Sequence, residues 1–165
     1  MAEGKPEIDP VLESVLLYCL KDARERMQQG ENIIPFSALA VGETLFMEEH
    51  PGNTPAESYS SAQHVLAGTR GAKAYGFCYD GYINVDTDDE SNVQRDCLIA
   101  EGGTPGAPHG HAVGQMYTID DEGNVSFNEE VIYVGKALNY MVNLTPEEDE
   151  EVETEEGATE TAEQE

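Results

Sequence analysis

The chain has 165 residues, with 34 Asp and Glu against 8 Lys and Arg, a formal net charge of −26 at pH 7. That length suits one domain, and that charge repels phosphate backbones and anionic bilayers, which excludes nucleic acid and membranes as expected partners. No apolar run approaches the roughly 18 residues of a spanning helix, and the start, MAEGKPEIDP, lacks a basic-then-apolar signal pattern, so a cytoplasmic location is expected.

Residues 1–8 have no anchoring pattern and are expected to be disordered, ahead of a single α+β domain over residues 9–144. Asp9 and Pro10 open a helix over 10–29: Asp9 can cap free amides, and Pro10 suits the first helical position. Leu12, Leu16, Leu20, Ala23 and Met27 then recur at helical spacing, and Gly30 supplies the stop. Apolar runs at 33–41 and 44–47 flank Gly42-Glu43, which predicts a hairpin with a type II′ turn. One long strand bulged at Gly42 is the competing reading. Thr54-Pro55-Ala56-Glu57 is a capping box that starts a helix running to about residue 67, with Tyr59, Ala62 and Leu66 inward.

Strand-like runs at 72–79 and 82–85 flank Asp80-Gly81, a hairpin signal. Further strands are expected at 95–100, 112–119, 125–127 and 131–134, while 137–144 fits a strand or a third short helix. The order α-β-β-α-β-β-β, with short turns between strands, implies a mainly antiparallel sheet of about five to six strands with two helices packed on it. In element order alone the chain resembles profilin-like and roadblock-like scaffolds, which implies an interaction platform. Residues 145–165 lack Leu, Ile, Phe and Tyr and are rich in acids, so they read as a disordered tail.

His109-Gly110-His111 is the sharpest chemical candidate. In a strand, period two places both imidazoles on one face, about 7 Å apart, where they can share a divalent transition metal. Glu101 is the third ligand of choice, with Asp96 and Asp80 as alternatives. The pair departs from the zinc-dependent isopeptidase pattern, because Asp120 follows His111 after eight residues with no intervening Ser. The bland reading makes residues 105–111 a solvated loop. Glu101 to Pro108 is Gly-rich but has neither GxGxxG nor GxxxxGK[ST], and reads as a flexible strand connection. Asp86 to Asn92 begins like a calcium loop, but Ser91 stands where Gly is needed and Cys97 where the closing Glu belongs.

Tyr75, Phe77 and Tyr79 share one strand face, and Gly76 and Cys78 leave the other thin. That is the pattern of a central strand packed on a helix. The functional reading of the same segment is a ligand pocket at Tyr79, Asp80 and Tyr82. Cys19, Cys78 and Cys97 are widely spaced and never CxxC, which excludes a disulfide framework or zinc ribbon. No GxSxG elbow is present.

The expectation is a non-enzymatic, soluble interaction or scaffold domain that needs no cofactor and associates with itself and with basic protein partners. The alternative is a metal-binding protein or metal-dependent hydrolase built on His109, His111 and Glu101.

Overall fold

The computed structural model describes residues 7–86 and 89–145; the expectations for residues 1–6 and for the tail from residue 146 lie outside the described residues. Helix α1 (Pro10–Gln28) begins where Asp9 accepts hydrogen bonds from the backbone N–H groups of Val11 and Leu12, at 3.0 and 3.2 Å. Its buried stripe is Leu12, Val15, Leu16, Cys19, Leu20 and Ala23. Ile8, expected to be unanchored, packs into the same apolar cluster, so packing extends to the residue before the helix cap.

Strands β1 (Phe36–Val41) and β2 (Thr44–Glu49) pair antiparallel without a break from Phe36↔Glu49 to Val41↔Thr44. Gly42 has φ +61° and Glu43 has negative φ, as a type II′ turn requires; the hairpin is formed and the bulged single strand is not. Helix α2 (Pro55–Ala67) carries the expected cap: Thr54 Oγ1 accepts from Glu57 N at 3.2 Å. Glu57 reaches back to Asn53 N at 2.9 Å.

The expected hairpin at Asp80-Gly81 is not formed. Strand β3 (Ala74–Val85) runs straight through it and pairs with β4 (Val93–Gly103) along its length, ending at Val85↔Val93. A two-residue type I′ turn needs positive φ at both positions, and neither residue has it. Asp80 accepts instead from the Tyr117 hydroxyl at 2.6 Å, which ties it to a strand two places away. The chain turns later, between Asp86 and Asn92, where Asn92 takes φ +57° and donates its backbone N–H to Asp86.

Strands β5 (Gly110–Ile119), β6 (Val125–Phe127) and β7 (Ile132–Ala137) complete an antiparallel sheet ordered β2-β1-β3-β4-β5-β6, with β7 also on β5. The strands number seven, two short ones, both expected, sharing the outer edge of β5, with β7 opposite residues 110–114 and β6 opposite 117–119. Residues 138–145 form neither strand nor helix, with turns from Tyr140 onward. Strands β2 and β3 flank β1 and run in the same direction, so α2 must carry the chain across the sheet between them.

The two helices cover opposite faces. Ala74, Gly76 and Cys78 of β3 and Ala100 of β4 lie under α1, where a Cβ on Gly76 would meet Cys19 Sγ at 3.0 Å and Val15 Cγ1 at 3.1 Å. Small residues on that parity let the helix backbone seat close to the strands. The other parity presents Tyr75, Phe77 and Tyr79 to α2, whose Ala62 and Leu66 join that second cluster. Large rings hold α2 farther from the sheet, and α1 alone makes close backbone approach to several strands.

Candidate functional site

The aromatic face is incompletely roofed. Helix α2 lies over one side of it, and between α2 and the β7 end of the sheet an open groove of about 630 Å³ remains. Apolar side chains dominate its walls, among them Ile99, Ala112, Val134 and Leu138, the last 76 % exposed. A groove of this size with few polar groups is the usual form of a small-ligand site.

Glu101 lies at the bottom. Strand alternation places it in phase with Cys97 and Ile99 of β4, on the α2 side, with Phe77 and Ala112 as its cross-strand neighbours. Its side chain is buried, 7 % exposed, and its Oε2 accepts from the hydroxyls of both Tyr59 and Tyr79, each at 2.9 Å. Among the described residues no donor is assigned to Oε1, and no Lys, Arg or His forms an ion pair with the carboxylate. Burial first, and then the Glu101 charge, keep both phenols protonated: Tyr59 is pushed up to about 12 although its contact with Tyr79 opposes the shift, and Tyr79, which that contact raises, goes higher still. Tyr140 is raised too, first by burial and then by Glu101. The tyrosines are therefore fixed donors around one acid.

The far wall is held firmly. Tyr75 stacks on Tyr140 with centroids 5.5 Å apart, and its hydroxyl accepts from Tyr140 N at 2.9 Å. Asn139 donates to the carbonyls of Thr104 and Ala107 at 2.7 and 2.8 Å, and its Oδ1 accepts from Met141 N at 3.0 Å. The Gly-rich connection expected to be flexible is thus packed: a Cβ on Gly103 would collide with Asn139, and one on Gly102 or Gly110 with backbone carbonyl oxygens. Gly102, Gly103 and Gly110 serve close packing.

The near wall has its own polar anchor. His50 is buried, with Nε2 2.8 Å from Ser37 Oγ of β1 and Nδ1 3.2 Å from Ser61 Oγ of α2. Burial holds this imidazole below its ordinary pKa, partly opposed by Glu48. The Ser-His geometry ties α2 to the sheet.

The structure brings the two histidines together and separates them from Glu101. The rings of His109 and His111 lie 5.2 Å apart, and His111 Nδ1 is 2.9 Å from the Tyr133 hydroxyl. Register pairs Gly102 with His111 and Glu101 with Ala112, so His111 and Glu101 point to opposite sides of the sheet. Asp80 and Asp96 do not supply the missing ligand; among the described residues no three or more His, Cys, Asp or Glu side chains gather as a metal site. Of the expected pocket of Tyr79, Asp80 and Tyr82, the first two line one cavity of about 300 Å³ with Tyr59 and Phe77, and Tyr82 is not in its lining. Tyr79 faces the groove, the Asp80 carboxylate binds Tyr117 on the α1 side, and Tyr82 is 57 % exposed.

Glu101 and Tyr79 were thus each singled out from the sequence, for different sites, and the structure joins them. Tyr59 was expected inward and is partly exposed, its hydroxyl closing the site; Tyr140 was missed. A usable signal was present for Glu101, a charge in phase with the apolar residues Cys97 and Ile99.

Among the described residues no helix is long and apolar enough to cross a membrane. No family model, curated protein or solved structure matches the chain.

Proposed function

We propose that the protein is a non-enzymatic binding domain whose ligand occupies the groove between α2 and the β7 end of the sheet. Glu101 carries the reading. An acid buried on an aromatic sheet face opposes folding, and a local rule broken in this way is expected at a site of function. Two tyrosine hydroxyls hold one oxygen and leave the other for a bound molecule. Binding, rather than turnover, fits the groups at hand: the tyrosines are raised, and burial pushes the nearby Cys97 thiol up to about 11, too high for a reactive thiolate.

Protein partners and self-association belong to the same proposal, but the β2 edge offers them little, since it exposes Glu48 and Glu49 as charges that discourage edge pairing. The test is ligand-observed mapping that needs no known ligand. Amide spectra of the full chain are recorded with a mixture of small aromatic fragments of different charge. Shifts should gather at Tyr59, Ile99, Glu101, Ala112 and Ala137, and disappear in Ser60→Trp, an exposed α2 position whose ring would fill the groove. Shifts confined to another surface, or surviving that substitution, would reject the groove as the site.

A further inference from the structure

We infer that the groove selects an organic cation, a primary ammonium carried on an apolar or aryl body. This inference rests on the groove being the binding site and names the chemistry of its occupant. A carboxylate and an ammonium in water each give up hydration to pair, and that loss cancels much of their attraction. Here the carboxylate has already lost most of its water in folding, being 7 % exposed, and no protein cation has taken its place among the described residues. An incoming ammonium therefore meets an acceptor prepared in advance.

The two donors on Glu101 are neutral phenols, both on Oε2, so they orient the carboxylate without neutralising it. A neutral ligand donor would gain one hydrogen bond at Oε1; a charged donor gains a charge-assisted one. The aromatic surround favours the same choice. Tyr59 packs against both Tyr79 and Tyr140, with centroids 5.9 and 6.4 Å away, and the negative ring faces attract a cation beside them. The apolar wall of Ile99, Ala112 and Leu138 then suits the body that carries the charge. The remainder of the chain, at a net −26, raises the local concentration of cations and repels anions.

Lys136 is the one basic residue in the described groove lining, but register pairs it with His111, so its exposed side chain lies on the α1 side, away from Glu101, with which it makes no ion pair among the described residues. Its charge reaches a ligand only through solvent, where screening is strong.

The experiment is calorimetric titration of the full chain with three probes of similar shape: 2-phenylethylammonium, 2-phenylethanol and 3-phenylpropionate. The ammonium should bind at least about tenfold more tightly than the alcohol, and the carboxylate more weakly than either. Glu101→Gln should remove the ammonium's advantage and leave the alcohol unchanged. Lys136→Met, at an exposed position on the α1 side, should change the ammonium's affinity by less than about twofold and leave the alcohol unchanged. Equal binding of ammonium and alcohol would overturn the cation inference while keeping the groove as a site. Preference for the carboxylate would overturn it. No binding of the ammonium, with groove shifts from fragments of other chemistry, would also reject the inference alone. Silence from every probe, with no fragment shifts in the groove, would reject both.

Discussion

The two faces of one sheet are built on opposite plans. Under α1 the strands carry Ala38, Ala74, Gly76, Cys78 and Ala100, and the helix fills the space above them with Leu12, Leu16, Cys19 and Leu20. Under α2 they carry Tyr75, Phe77 and Tyr79, and the helix is attached through hydroxyls and an imidazole, Tyr59 to Glu101 and Ser61 to His50. The first arrangement is dry and closed; the second is polar at its anchors and leaves a groove. A strand's two parities thus set how close each helix can approach, and the helix held off by rings creates the room for a ligand.

The contrast is broken most severely by cutting into the closed face. Leu20 is fully buried beneath α1, so Leu20→Ala should cost about 2–5 kcal/mol, the range for a buried leucine replaced without collapse of the site. Urea denaturation measures it. A loss under about 1 kcal/mol would mean that the α1 face is no better packed than the groove face.

The next effect separates the faces by pH. His50 is buried in neutral form on the α2 face, with its folded pKa below the unfolded value, and His111 is shifted the same way by burial and then by His109 and Lys136. The unfolded chain therefore holds more protons on these two groups. Their stabilising contribution is present above about pH 6.5, the unfolded value, and is lost as pH falls through the folded values. Denaturation curves between those limits should show stability declining with acid. The decline should be smaller in His50→Gln. An identical slope in that variant would remove His50 from the wiring of α2.

A smaller effect is expected from Tyr79→Phe. The ring packing persists, and the loss is one hydroxyl donor to a carboxylate that keeps Tyr59, worth about 1.5–3 kcal/mol if fully buried and less at a groove open to water. The signature is selectivity rather than stability: freed of one donor, Glu101 should bind an ammonium at least as well as before. Weaker ammonium binding would show that the phenol contacts the ligand instead of orienting the acid.

Much of this architecture was legible before any coordinates. The stripe Leu12–Leu16–Leu20, the Gly42 turn, the Thr54 cap and the thin parity at Gly76 and Cys78 are local signals, and each is met in the structure. Asp80-Gly81 misled because a dipeptide carries turn propensity but not the identity of its distant partner, here the Tyr117 hydroxyl. His109 lies just before β5, so period two does not govern it even though its ring meets that of His111, and the side on which Glu101 lies depends on the β4–β5 register, a tertiary quantity. For the same reason Tyr59, Tyr79 and Glu101 could be named one at a time but not assembled.

The central claim is that the Glu101 oxygen left free by its two tyrosines receives a ligand's charged donor. The most direct measurement is a crystal structure of the full chain grown with 2-phenylethylammonium. The account predicts the ammonium nitrogen about 2.7–2.9 Å from Glu101 Oε1, with Tyr59 and Tyr79 still on Oε2 and the phenyl group against Ile99 and Ala112. A ligand seated elsewhere, or one lying in the groove with its ammonium turned away to solvent, would contradict it.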